Sequence, residues 1–241
     1  MDRVLVTGGT GAIGSAVIKK LSSSHVEIFF QYGDNQEYAK CLAEQYGADA
    51  IQWRAENADE QTIAQLFPSD IDVLINCIGS HISVGNMETV SVHEIKKLHQ
   101  INVIAPFLFI KHVLPFMKKH KRGHILNVSS ICGITTGENN LPYILSKHAL
   151  TAMTKCIAAE YGQFGIICNE VCPNMIDSNM MQKIFQEESK RYHIPLDIYI
   201  KKVVKDMPDN SLLEPESVAQ TILYLISDEM KVIKGQSIVL G

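Results

Sequence analysis

No two of the six cysteines stand at C-x-x-C spacing, and none of the nine histidines belongs to an H-E-x-x-H run. Both absences argue against a zinc centre or a redox pair, so no metal is expected. Cys41, Cys77, Cys132, Cys156, Cys168 and Cys172 lie mostly within apolar runs and read as buried, reduced thiols. A large excess of either charge is also missing, with 22 Lys and Arg against 26 Asp and Glu. A net charge of -4 argues against a nucleic-acid binder. No apolar stretch approaches the roughly 20 residues that a membrane span needs. The chain enters a strand and a glycine turn at once, which leaves no room for a signal peptide. A soluble, cytoplasmic protein is expected. Repeats, low-complexity tracts and linkers are missing too, so residues 1–241 read as a single domain.

What is present is an alternation. Arg3–Val6, His25–Phe30, Ala50–Trp53, Asp72–Asn76, His124–Val128 and Ile166–Val171 are short apolar runs bounded by turn residues. They read as buried strands, and Ser237–Leu240 could add a last one. Helix-length segments lie between them, among them Ala12–Leu21, Gln36–Tyr46 and Pro142–Tyr161. This order predicts an α/β fold, a doubly wound parallel sheet with helices on both faces. Residues 174–213 break the rhythm. They are polar, rich in Met and without a strand pattern, as expected of a lid over a binding site.

The turn Thr7-Gly8-Gly9-Thr10-Gly11-Ala12-Ile13-Gly14 follows the first strand and opens a helix. Gly9-x-Gly11-x-x-Gly14 therefore has the context of a dinucleotide fingerprint. Glycines let the backbone approach a pyrophosphate, and the helix N-terminus offers it free N–H groups and a positive dipole end.

Tyr143 and Lys147 are one helical turn apart, just after Pro142. A tyrosine is too weak an acid to trade protons easily at neutral pH, and a nearby ammonium would favour its phenolate. Y-x-x-x-K alone recurs by chance. Ser130 strengthens it, because it ends the strand His124–Val128 at the sheet edge where ligands of doubly wound folds bind.

Taken in order, these motifs resemble the short-chain dehydrogenase/reductase family over almost the whole chain, and within it the 3-oxoacyl-(acyl-carrier-protein) reductases and related ketoreductases. The matching residues are Thr7-Gly8…Gly14, Asn76-Cys77-Ile78-Gly79, Asn102, Ser130, Tyr143-x-x-x-Lys147 and Pro173-Asn174-Met175-Ile176-Asp177-Ser178. The resemblance implies a Rossmann fold and a reaction at a carbonyl or alcohol with a nicotinamide. It implies that Tyr143 passes the proton, Ser130 steadies the substrate oxygen, Lys147 holds the ribose, and Asn102 helps a water join Lys147 to solvent. It also places Asn76, Gly79, Pro173, Ile176 and Ser178 at the cofactor.

Several positions depart from the family's pattern. Ala12 takes the place of a glycine, Asn174 takes another, and Ala55 stands where an aspartate touches adenine, with Glu56 beside it. The position of an NAD-selecting acid falls near Gln31 or Tyr32, neither of them acidic. That absence favours NADP, with NAD left open and Tyr32 placed at the ribose. Asp34 could swing in, although a turn-forming role beside Gly33 is the simpler reading. The expected substrate is a small or carrier-bound ketone. Lys118-Lys119-His120-Lys121-Arg122, read as lying near the active edge, is a candidate dock for an acidic acyl carrier protein. Tyr192, His193 and Tyr199 could line an apolar pocket, or simply pack. Apolar residues nearly encircle the segment at Ile104, Phe107, Leu108, Phe109 and Ile110, which suits a homodimer or homotetramer. The competing readings are a dehydrogenase for another small alcohol or hydroxy acid, and a cofactor-binding subunit without turnover.

Overall fold

The computed structural model describes residues 2–57, 59–82, 85–205, 207 and 210–241. Its centre is a seven-stranded sheet of β1 (Arg3–Thr7), β2 (Glu27–Tyr32), β3 (Asp49–Gln52), β4 (Val73–Asn76), β5 (Gly123–Val128), β6 (Ile166–Pro173) and β7 (Ser237–Leu240). The spatial order is β3-β2-β1-β4-β5-β6-β7, and every pairing is parallel. All seven expected strands are present, with ends moved by at most two residues.

Strand side chains alternate between faces, so each strand feeds two cores. Val4, Val6, Phe30 and Ile75 pack beneath α1 (Ala12–Leu21) and α9 (Pro215–Leu225). Leu5, Phe29, Leu74 and Ile125 pack beneath α3 (Glu60–Leu66), α5 (Ala105–His120) and α6 (Leu141–Tyr161). Phe109 is wholly buried there, edge-on to Trp53 at 5.1 Å and to Phe67 at 4.9 Å. Phe109→Ala should cost about 3–5 kcal/mol of stability through the cavity it leaves.

Two further helices connect these layers, α2 (Gln36–Tyr46) and α4 (Val92–His99). The latter runs on through one π-helical turn, Gln100–Ile104, into α5. The resulting helix of 29 residues, Val92–His120, is long and apolar enough to cross a membrane by length and composition. This corrects the expectation that no such stretch exists. Half of its most apolar window is buried inside the fold, as befits a core helix.

The lid region contains α7 (Asn179–Arg191) and α8 (Leu196–Val204), and a parallel bridge from Ile176 to Leu213 closes it at its base. Positions 206, 208 and 209 of the expected lid lie outside the described residues. Its aromatics pack the two helices together. Tyr192 stacks on Tyr199 at 6.1 Å, and Tyr199 stands edge-on to Phe185 at 6.2 Å. None of Tyr192, His193 and Tyr199 lines the large cavity.

The basic cluster is not where the sequence reading put it. Helices in such a fold run back against the strands, so the end of α5 meets the start of β5, at the edge away from Ser130. Arg122 there pairs with Asp72 at 2.9 Å, at the foot of β4, and Lys118 stands 4.5 Å over the Phe164 ring. Two thiols also depart from expectation. Cys41 and Cys156 are exposed, whereas the other four are buried or half-buried.

Candidate active site

Because β1 has β2 on one side and β4 on the other, the direction of building reverses there. A crevice opens beyond the C-terminal ends of the strands at such a point. The structure has a cavity of about 1110 Å³ in that place. It runs from the glycine turn, past Ser130, Tyr143 and Lys147, to the inner face of α7.

The glycine turn forms one end. Gly8 has φ +67°, and a Cβ there would come within 2.8 Å of the Cys77 backbone. At Gly14 a Cβ would meet the Gly8 carbonyl oxygen at 2.2 Å. Both positions must be glycine for the turn to close. Ala12 opens α1 without a positive φ, so its methyl is tolerated. Gly8, Thr10, Gly11, Ala12, Ile13 and Gly14 line the cavity. Gly9 does not. A Cβ there would strike the Phe30 ring at 2.5 Å, so this glycine serves packing. Thr7 is also withdrawn from the cavity. It is fully buried, with its hydroxyl 3.3 Å from Asn76 Oδ1, and Asn76 in turn donates to Asn127 Oδ1 at 2.9 Å. The two form a polar layer beneath the turn.

Tyr32 requires a correction. Its side chain is buried in the core against Phe30, with ring centroids 6.4 Å apart, and does not reach the cavity. Gln31 points the other way. Its Oε1 accepts from the Gly8 N–H at 2.7 Å, and its Nε2 donates to the Trp53 carbonyl at 2.5 Å. It braces the turn, a role the sequence reading missed. The groove wall beyond is formed by Gly33, Asp34, Asn35, Tyr38, Arg54 and Glu56, with Ala55 behind. Arg54 forms an ion pair with Asp34, and both side chains are largely exposed.

The other end gathers the reactive groups. Asn140 stands at the N-cap position of α6 without a side-chain capping bond, and Pro142 stands in its first turn. That start aims Tyr143 and Lys147 at the cavity. Lys147 Nζ donates to the Val128 carbonyl at 3.0 Å and lies 5.7 Å from the Tyr143 ring centre. Burial pulls the ammonium down to about 8, against the opposing pull of Glu170. For Tyr143, burial pushes the phenol above its ordinary value, while the Ser130 hydroxyl beside it pulls the other way. Tyr143 is therefore a neutral phenol across the physiological range, and the expected lowering by Lys147 does not prevail in this state.

Asn102, in the π-helical turn, is fully buried and off the cavity wall. Its side chain accepts from the Ser80 N–H at 2.8 Å and donates to the Ser80 carbonyl at 2.9 Å and Ser146 Oγ at 2.9 Å. It clamps the segment after β4 onto α6. Gly79 lines the cavity, and a Cβ there would stand at ordinary contact distance, 3.6 Å, from Lys147 Nζ. Pro173, Ile176 and Ser178 line the cavity from the strand end of β6. His81 was missed by the sequence reading. Its ring lies edge-on to Tyr143 at 4.9 Å, and its Nε2 is 3.1 Å from Asn140 Oδ1. Burial holds this imidazole below its usual value, hence neutral.

A family model described as Enoyl-(Acyl carrier protein) reductase matches residues 9–240 of the chain. This protein is an oxidoreductase of the short-chain dehydrogenase/reductase family. It is 29% identical to the 3-oxoacyl-(acyl-carrier-protein) reductase of Rickettsia conorii, across 97% of this chain and 92% of that one. It is 26% identical to the D-beta-hydroxybutyrate dehydrogenase of Cupriavidus necator, across 96% and 93%. An actinorhodin polyketide ketoreductase variant solved with NADPH shares the fold, with a TM-score of 0.91, 22% identity and coverage of 99% and 95%.

Proposed function

We propose that the protein reduces the ketone of a 3-oxoacyl thioester to a hydroxyl, with NADPH as reductant. One observation carries the reading: Ser130, Tyr143 and Lys147 converge on a cavity that continues into a glycine turn shaped for a pyrophosphate. The cradle fits a dinucleotide, because the turn closes tightly on Gly8 and Gly14, where no side chain fits, and its backbone at Gly8, Gly11 and Gly14 faces the cavity. The bound nicotinamide would supply the hydride. Tyr143, kept protonated by burial, would give its phenolic proton to the carbonyl oxygen. Ser130 would hold that oxygen, Lys147 would hold the ribose and restore the proton, and Asn102 would fix the geometry between α6 and the segment after β4. One relative is named for 3-oxoacyl groups and another for D-beta-hydroxybutyrate, a 3-hydroxy acid, which supports a substrate oxygenated at that position. The proposal covers free and carrier-bound thioesters alike. Mixing the protein with NADPH and 3-oxoacyl thioesters of graded chain length, and following the absorbance of the reduced cofactor, tests the reading. Consumption with at least one thioester is expected. Its absence throughout, with NADPH bound, would overturn the thioester reading in favour of a dehydrogenase for another alcohol or hydroxy acid, or a binding subunit without turnover.

Arg54 supplies the positive charge that the sequence reading did not find at the ribose end. An exposed ion pair is weak, so Arg54 can leave Asp34 for a 2′-phosphate. Arg54→Ala should raise the NADPH dissociation constant by roughly 10-fold, the contribution of a charge-assisted hydrogen bond. NADH affinity should hardly change. Calorimetry with both nucleotides checks this, and equal losses would remove Arg54 from cofactor selection.

We also propose a homo-oligomer built through α5 and α6. Leu108, Phe109 and Ile110 are buried within the subunit, but Phe107 is 44% exposed, Ile104 39% and Leu145 on α6 41%. Light scattering should give at least twice the 26.9 kDa chain mass, and Phe107→Asp should return it to one chain. An active monomer of the native protein would contradict the proposal.

A further inference from the structure

Glu170 on β6 has no part in the reaction outlined above, yet it is 0% exposed. Burying a carboxylate is unfavourable unless hydrogen bonds and an opposite charge offset it. The hydrogen bonds are present. Ser237 Oγ donates to Oε1 at 2.6 Å and Thr151 Oγ1 donates to Oε2 at 3.1 Å, with Thr154 Oγ1 at 3.5 Å. Thr151 and Thr154 lie on α6, four and seven residues after Lys147, and therefore on its face. Thr151 Oγ1 also stands 3.3 Å from Ser129 Oγ, next to the Val128 carbonyl that holds Lys147 Nζ. Gly133 covers this layer closely. A Cβ there would meet Ser129 Oγ at 2.5 Å and Thr151 Oγ1 at 2.7 Å. The polar layer thus runs from the foot of the active-site cavity to β7.

We propose that Glu170 is a positioning residue for the active-site cation: its carboxylate, fixed by Ser237 and Thr151, is the counter-charge that keeps Lys147 an ammonium inside the fold. This rests on the reading that Lys147 holds the nucleotide. The other titratable groups acting on Lys147 are thiols. Cys77 follows β4, Cys132 follows β5 and Cys172 lies on β6, and burial pushes each of them up. All three are neutral near pH 7, as is the Tyr143 phenol. Glu170 heads the influences that oppose the desolvation of Lys147. Without it, the buried amine would shed its proton at a lower pH.

The test is a titration of the Lys147 ε-carbon by NMR in cofactor-free protein carrying ¹³C-lysine, with the resonance assigned by its loss in Lys147→Met. In Glu170→Gln the midpoint should fall by about one pH unit or more, and Glu170→Asp, which keeps the charge, should restore most of it. The pH above which NADPH affinity declines should move down in step in Glu170→Gln. An unchanged Lys147 midpoint in Glu170→Gln would overturn the proposal, whatever the protein does with NADPH. Should Glu170→Gln fail to fold, Ser237→Ala, which releases Oε1 of the carboxylate, should lower the Lys147 midpoint, and an unchanged midpoint there would overturn the proposal.

Discussion

Tyr143→Phe should lower kcat by about 10²- to 10⁴-fold, the usual contribution of a general acid, while NADPH binds nearly as well as to the native protein. The phenyl ring keeps its packing against His81, 4.9 Å away, so the loss would belong to the hydroxyl. The hydroxyl is well prepared as a donor. Burial keeps it protonated, and Ser130 stands beside it to share the substrate oxygen. Steady-state rates with the best thioester, set beside calorimetric NADPH affinities, give both quantities. A phenylalanine variant with more than about half of the native kcat would remove Tyr143 from the chemistry, since a proton donor is worth far more than a factor of two.

Lys147→Met should damage binding and turnover together. It removes a donor to the Val128 carbonyl at 3.0 Å and the ammonium facing Gly79. A hydrogen bond from a charged group contributes about 1.5–3 kcal/mol, so NADPH affinity should fall by roughly 10- to 100-fold, and kcat should fall as well. The pH profile carries the sharper signature. Burial pulls the Lys147 ammonium down to about 8, so native kcat/KM should be constant below that pH and decline above it as the proton leaves. The methionine variant has no proton to lose there, and its residual activity should lack that alkaline decline. An unchanged profile and unchanged affinity would make Lys147 a structural residue only.

Much of the fold was legible because its signals are local. Six apolar runs, each ended by turn residues, were enough to place β1 to β6, and parallel connection followed from the helices between them. Ser130, Tyr143 and Lys147 were legible because their spacing fixes which edge of the sheet and which helix face they share. What failed depended on relations between elements. Gln31 and Tyr32 are neighbours in β2, but successive strand residues face opposite sides. A reading uncertain by one residue therefore chose the buried side chain over the one that braces the turn. Arg54 was overlooked because it is distant in sequence from β2. Only the register Tyr32↔Gln52 brings Asp34 and Arg54 to the same rim. The Lys118–Arg122 cluster lies at the opposite edge because α5 runs antiparallel to the strands, a relation that residue order alone does not display. Glu170 reads as one more strand residue until β7 and α6 close around it.

Hydride transfer from nicotinamide to a ketone carbon is the central claim, and isotope tracing tests it most directly. The protein should be incubated with a 3-oxoacyl thioester and NADPH carrying deuterium at the transferable position of C4, and the product examined by mass spectrometry and NMR. The account predicts one deuterium on the carbon that bears the new hydroxyl, from the native protein and not from Tyr143→Phe over the same interval. A product without deuterium at that carbon, or labelled product formed equally fast by Tyr143→Phe, would contradict it.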